Sequence, residues 1–418
     1  MKKVTITNAY TWYNKGDAGI LLGIVNALKK EYNEDVEINV LSFTPEEDKK
    51  RYCKDKCIKN VFSSTLNPFP YKHTKIGKIV AMLKLFFRMC YLYVKSKLSL
   101  NSLIEKEESF KVLNESDIVV VCGGGFLGGK KYDSLMHLFQ IYIDTLFKKP
   151  VIVMGTSIEP IKKKLIKKYT ESVLKKVDHV YAREKITYEY LSTFLDKDKF
   201  TLIPDMAFML EDGNEKIDII NKIREKSNLI FGITVRKWNF PNLSISSEEA
   251  MENYKHSISE LMKKYILEKN AYFVFIPQVI VKNGDDTNVA LQIKEMLPEN
   301  IKDNFIITRE DFSPLEIKSL IGNLDYFIGT RMHSNIFATS MKVPTVAIAY
   351  EKKTNGIMET LGLSEYIVEM DTITPENLMQ KVEACIENTD KIKENLNIKI
   401  PDLKNKIMIE IDKTMKNY

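Results

Sequence analysis

The chain has 418 residues, with 62 Lys plus Arg against 56 Asp plus Glu, 44% hydrophobic residues and 28% charged ones. That length asks for roughly two cores rather than one, and the balance excludes disorder, collagen and coiled coil. The net charge of +6 is concentrated: from Lys56 to Ile104 there are nine basic residues and no Asp or Glu, so the rest of the chain is slightly acidic. A nucleic-acid binder is more often basic throughout or along a repeated stripe, so a single basic block argues against nucleic acid as partner. Five cysteines over this length make no disulfide framework, and Cys53 with Cys57 would be half a metal site at most. Reduced thiols and no metal are expected. The start MKKVTITNAY reads as a strand without the apolar stretch of a signal peptide, which predicts a cytoplasmic protein.

In chain order, short apolar runs rich in β-branched residues alternate with helical patterns. The first series of strands is expected at Val4 to Thr7, Val36 to Phe43, Ile118 to Cys122, Val151 to Gly155, His179 to Ala182 and Thr201 to Ile203. Helical patterns fall between most of them, as at Gly19 to Glu31 and Asp133 to Phe147. The charged stretch Glu211 to Asn228 separates a second series: Leu229 to Val235, Tyr272 to Ile276, Phe305 to Thr308, Tyr326 to Gly329, Thr345 to Ala349 and Tyr366 to Val368. Continuously apolar strands between helices mean parallel sheets covered on both faces, hence two doubly wound α/β domains. The expected division is 1–210 with a basic helical insertion at 57–110, then 211–385, then a helical segment 386–418. Residues Ile76 to Leu100 interrupt the alternation with an apolar, aromatic pattern in which Lys84, Arg88 and Lys95 fall within about 40° on a helical wheel. Its longest uncharged run is too short for a membrane span.

Ligands in such sheets bind at the carboxyl ends of strands. The first strand leads into Asn14, Gly16 and Asp17 before a helix, where free amides favour an anion or polar ligand; Asp17 reads either as a helix cap or as a substrate contact. The run IVVVCGGGFLGG ends a strand in Gly123, Gly124, Gly125, Gly128 and Gly129. It matches a dinucleotide fingerprint formally, with Asp144 at the right distance. Asp144 lies inside a helical run, however, so the glycines are expected to floor some other ligand. The strand DYFIGT runs into Arg331, Met332, His333, Ser334 and Asn335, setting a cation and an imidazole at a strand end. The strand before Arg236 ends likewise, and Lys352 and Lys353 with Glu351 follow TVAIAY. Two arginines at strand ends suit an anion with two negative groups. Gln278 follows FVFIP at a similar level.

These residues resemble the polysaccharide pyruvyl transferase family. The likeness rests on NKGDAGIL, VVVCGGGFLGG, VYAREK, PDMAF, GITVR and above all GTRMHSNIFATSMKVPTVAIAY followed by KTNG; it spans most of the chain outside 57–110. Relatives commonly carry a polar residue where this chain has Phe126. The resemblance implies two Rossmann-like domains facing each other across a cleft, as in GT-B glycosyltransferases. It also implies transfer of a pyruvyl group from phosphoenolpyruvate to two hydroxyls of one sugar. The family's R-x-H motif falls on Arg331 and His333, and its second-domain strand-end arginine on Arg236. On this reading Arg236 and Arg331 clamp the carboxylate and phosphate, and His333 is the general acid. Asp17 and Glu159 are candidate bases. The acceptor, a sugar or polyprenyl-linked oligosaccharide, lies against the first domain near Asn14, Asp17 and Gly123 to Gly125, with phosphoenolpyruvate on the second. Phosphoenolpyruvate is a co-substrate, and no cofactor is called for.

Two rival readings stand beside this one. A glycosyltransferase of the same fold using a nucleotide sugar would want a carboxylate for the ribose hydroxyls, which SNIFATSM lacks. A non-catalytic sugar-binding scaffold has no use for clustered strand-end cations. The basic helix also has two readings: it covers the N-terminal sheet with solvated lysines, or it rests on the anionic inner face of a membrane.

Overall fold

The computed structural model describes residues 1–67, 74–127, 133–158, 161, 163–213, 218–241, 243–280 and 286–418. Two compact units emerge: residues 1–12, 20–210 and 404–418 form the first, and residues 13–19 and 211–403 the second. The first is built on a seven-stranded parallel sheet of β1 (Lys2–Ala9), β2 (Val36–Ser42), β3 (Ile58–Ser63), β4 (Ile118–Cys122), β5 (Val151–Thr156), β6 (His179–Ala182) and β7 (Phe200–Leu202). Its order is β3-β2-β1-β4-β5-β6-β7. The second holds β8 (Ile230–Thr234), β9 (Tyr272–Phe275), β10 (Phe305–Ile307), β11 (Tyr326–Gly329), β12 (Thr345–Ala349) and β13 (Ile367–Glu369), in the order β10-β9-β8-β11-β12-β13. In each sheet the order of strand addition reverses once, between β1 and β4 and between β8 and β11, the mark of doubly wound α/β folds.

Burial explains why these runs form strands. Every residue of β4, β5, β8 and β12 is buried, as expected where helices cover both faces. The edge strand β3 lies in the stretch 57–110, which the sequence suggested was helical throughout. Its run IKNVFS exposes Lys59 and half-buries Asn60 and Phe62; it lacks the continuous apolar signal of the central strands because it is paired on one side only. The closing helix Thr389–Met415 is not a separate segment, since residues 404–418 group with the first unit. There the Tyr181 hydroxyl donates to the Glu410 carbonyl and Lys2 to the carbonyl of Tyr418.

Within the first unit the sequence motifs serve the fold. Arg183 and Asp205, from VYAREK and PDMAF, form a buried ion pair at 2.8 Å, and Arg183 also donates to Ser157 Oγ. A side chain on Gly123 would bring Cβ to 1.9 Å from the Met154 carbonyl oxygen, so the end of β4 must be glycine for β5 to pass. Phe126 stacks on His137 with ring centroids 4.0 Å apart. Burial lowers the His137 pKa to about 3, so the ring is neutral. Asp144 lies inward, accepting from Thr7 and Gln140, while Gln140 accepts from Ser64 and Thr65. That placement removes Asp144 from any ribose-binding role. Gly128, Gly129 and Glu159 lie outside the described residues.

The basic helix, Lys75–Leu98, is capped by the Thr74 hydroxyl accepting from Gly77 N–H. Leu92 is buried, and Leu85 and Met89 pack against the first unit's core. Arg88 forms a bidentate pair with Glu107 and donates to the Thr65 carbonyl. No helix among the described residues is long and apolar enough to cross a membrane.

Asp144 gives the fold a pH dependence. Burial raises its pKa from 3.8 to about 7, against the opposing hydrogen bonds from Thr7 and Gln140. A carboxyl raised in the folded state binds its proton more tightly there than in the unfolded chain. Its stabilisation is therefore complete below its ordinary value and lost as pH rises through about 7. Asp144→Asn keeps an acceptor for Gln140 and a donor toward Thr7. Denaturant melts from about pH 4 to 8 are expected to show the wild-type decline, on the order of a few kcal/mol, flattened in the variant; an unchanged slope would show that Asp144 folds ionised.

Candidate functional site

In the second unit the strand order reverses between β8 and β11, and their carboxyl ends lead directly to the two arginines. The turn after β11 is held by polar side chains turned into the fold. Thr234 Oγ1, at the end of β8, accepts from the backbone N–H of Thr330 and Arg331 and meets Ser334 Oγ at 2.9 Å. Asn335 Nδ2 donates to the Gly329 carbonyl, and a side chain on Gly329 would place Cβ 1.7 Å from Asn335 Oδ1. Ser334 and Asn335, expected as ligand contacts, are fully buried and serve this strand-to-helix turn. The helix that follows, Met332–Ser340, carries no acid in its first turn.

Arg331 and Arg236 are restrained in different ways. Arg331 donates from Nε and Nη2 to the two carboxylate oxygens of Asp286, whose side chain is 2% exposed. Burial works against the Arg331 charge, but the charge and hydrogen bonds of Asp286 outweigh it and its pKa lies above the ordinary value. The Arg236 guanidinium lies over the rings of Tyr350, at 4.1 Å, and Trp238, at 4.9 Å. Burial, then the charge of Arg331, push the Arg236 pKa down. This cation is held by aromatic faces beside a second cation. The hydroxyl of buried Tyr254 lies 2.8 Å from Thr330 Oγ1 and bonds the backbone of Arg236, tying the two strand ends together. Lys353, which follows TVAIAY, pairs with Glu351 at 3.0 Å.

The loop after β1 supplies the rest. Sequence reasoning put Asn14 and Asp17 on the first domain, but residues 13–19 group with the second unit. The reason is backbone pairing: Asn14 bridges Val279 in antiparallel fashion, Lys15 N–H donates to the Gln278 carbonyl and Ile280 N–H to that of Tyr13. Gly16 lies against the imidazole of His333; a side chain there would bring Cβ to 2.2 Å from Nδ1. Asn14 accepts from Gly16 N–H and donates to Asp17. Lys15 is completely buried and pairs with Asp311. Gln278 is buried too, and neither polar atom of its side-chain amide has a hydrogen-bond partner among the described residues. The second unit thus gathers Arg236, Arg331, His333, Asn14, Asp17 and Gln278, whereas Gly123, Gly124 and Gly125 belong to the first.

A sequence model of the family described as polysaccharide pyruvyl transferase matches residues 14–352. The chain belongs to the polysaccharide pyruvyl transferase family. The matched span includes Asn14, Asp17, Arg236, Arg331 and His333. The chain is also 24% identical over 407 residues to the amylovoran biosynthesis protein AmsJ of Erwinia amylovora, covering 94% of both chains. These two likenesses make it a transferase of polysaccharide biosynthesis. Among solved structures it is similar to a putative UDP-N-acetylglucosamine 2-epimerase from Listeria monocytogenes, with TM-score 0.60, 12% identity and coverage of 98% and 94%. It is likewise similar to the UDP-GlcNAc 2-epimerase of Neisseria meningitidis, with TM-score 0.59, 15% identity and full coverage of both chains. At such identities these GT-B-fold neighbours speak for the fold alone.

Asp286, Lys15, Asp311, Trp238 and Tyr350 were not foreseen as members of the site. Tyr350 closes the run TVAIAY and Lys15 sits inside NKGD, so both had a positional signal; Asp286 had none, because its partner is 45 positions away. Asp286→Ala is expected to lower unfolding stability by about 2 kcal/mol, since it strips Arg331 of a bidentate partner; a denaturant melt unchanged from wild type would show the pair to be dispensable. Gly16→Ala should displace the His333 ring, seen as shifted imidazole resonances in NMR, with catalytic turnover falling about a hundredfold. Unshifted resonances would mean the loop yields instead.

Proposed function

We propose that this protein transfers a pyruvyl group from phosphoenolpyruvate to two hydroxyls of one sugar, in a cell-surface polysaccharide or its polyprenyl-linked precursor, forming a cyclic ketal and releasing phosphate. The observation that carries the reading is the pair Arg236 and Arg331 on neighbouring strand ends, in the unit that also presents His333. Phosphoenolpyruvate bears a carboxylate and a phosphate on one small skeleton. Two guanidiniums, one fixed by Asp286 and the other resting on aromatic rings, suit two such anionic groups. Phosphoenolpyruvate is the co-substrate, no other cofactor enters the reading, and the reaction belongs to the cytoplasm.

In the proposed sequence His333 delivers a proton to the vinyl methylene, making the adjacent carbon electrophilic. A sugar hydroxyl adds to that carbon and its proton restores His333. The carbon–oxygen bond to phosphate then breaks, with Arg236 and Arg331 stabilising the departing charge. The second hydroxyl adds in its place, and its proton leaves with phosphate. Asp17, already hydrogen-bonded to Asn14, is proposed to take each hydroxyl proton first and pass the first on to His333 and the second to phosphate; Glu159, the other candidate, lies outside the described residues.

A phosphate-release assay with phosphoenolpyruvate across a panel of sugar acceptors tests the reading. Acceptor-dependent release by wild type is expected to fall at least about a hundredfold in His333→Ala. Arg236→Lys and Arg331→Lys should each lower kcat/KM for phosphoenolpyruvate, because an ammonium cannot reproduce the planar fork that Arg236 would offer the ligand or the two bonds that hold Arg331 on Asp286. Turnover of a nucleotide sugar, with no acceptor-dependent phosphate release, would overturn the assignment in favour of a glycosyltransferase.

A further inference from the structure

The proposed reaction makes no use of the helix Lys75–Leu98. Among the described residues, more than half of the large hydrophobic side chains left exposed lie on this one helix. They include Leu83, Phe86 and Phe87 at 52%, 59% and 66% exposure, the two phenyl rings meeting edge to face at 5.8 Å. The inner face is already satisfied, with Leu92 in the core and Leu85 and Met89 packed on it. At 100° per residue, Ile79, Leu83, Phe87 and Val94 share the arc opposite Leu85, while Lys84 and Lys95 lie within about 20° of each other at its rim. The outer face is thus apolar and edged with cations.

We propose that this helix lies in the plane of an anionic lipid leaflet, with its outer face among the acyl chains and its lysines at the headgroups. Twenty-four residues give about 36 Å of helix, long enough to lie along a leaflet, and no described helix qualifies as a span. Charge complementarity selects lipid over a second copy of the chain. From Lys56 to Ile104 there is no acid, and the nearby Glu107 is already paired with Arg88, so two such faces would meet with uncompensated cations at their rims. Phosphate headgroups supply the missing charge.

The test is flotation of the full chain with phosphatidylglycerol–phosphatidylcholine vesicles and with pure phosphatidylcholine vesicles at physiological salt. Wild type is expected to float with the anionic vesicles and about tenfold less with the neutral ones, and Phe87→Glu to lose about tenfold of the anionic binding. Lys84→Glu with Lys95→Glu should weaken binding in the same direction. Absence of flotation, or equal flotation on both vesicle types, would overturn the proposal. So would a concentration-dependent dimer in sedimentation that Phe87→Glu dissolves without any lipid binding by wild type. Should Phe87→Glu fail to fold, Phe87→Trp gives a second readout: its emission is expected to shift to the blue on anionic vesicles, and unchanged emission counts against insertion. None of these measurements depends on the reaction, so either reading can fail without the other.

Discussion

Two guanidiniums on adjacent strand ends repel each other, and the second unit is organised around keeping both charged and in place. Arg331 is stabilised by a buried carboxylate, Arg236 by two aromatic faces. The difference has chemical consequences. A carboxylate partner neutralises much of the Arg331 charge and fixes its plane, whereas Arg236 rests its flat face on rings and gives its Nε to the Lys237 carbonyl. Burial, and after it the like charge of Arg331, lowers the Arg236 pKa, and an incoming anion with two negative groups would relieve the repulsion between the two cations. Fold and chemistry meet here, because only the reversal of strand order between β8 and β11 brings these two ends side by side.

Around this pair the protein uses polar side chains for construction more than for recognition. Thr234, Ser334, Asn335 and Tyr254 are all buried, and together they fix the turn from which Arg331 and His333 emerge. Gly16 belongs to the same construction from the opposite chain segment. Its missing side chain is what lets the start of the helix Lys15–Glu31 approach the His333 imidazole. A short loop after β1 therefore becomes part of the second unit's site through three backbone contacts rather than through its own fold.

The first unit follows other priorities. Its Gly123 at the end of β4 answers a steric demand from β5, and its buried carboxyl, Asp144, is held by hydroxyl and amide donors rather than by a cation. The exposed apolar face of Lys75–Leu98 is the exception to economical burial. A helical wheel shows which side of a helix is apolar but not which side the fold covers. Here Leu85, Met89 and Leu92 suffice for the core contact, and the larger apolar arc is left outside.

Alternation of apolar runs with helical patterns was enough to locate all the strands of the second sheet and six of the seven in the first, because strands buried on both faces cannot hide their composition. The edge strand β3 escaped for the converse reason. Strand-end position likewise made Arg236, Arg331 and His333 legible, since parallel sheets open to ligands only at one edge. What the sequence could not decide was partnership. Asp286 for Arg331, Lys15 with Asp311 and Gly16 against His333 join positions far apart in the chain, and no local pattern encodes such pairs. Nor could it tell that residues 13–19 serve the second unit, or that Ser334 and Asn335 face inward. Periodicity reports how each segment is covered, whereas the partners of its polar groups are chosen only when distant segments meet.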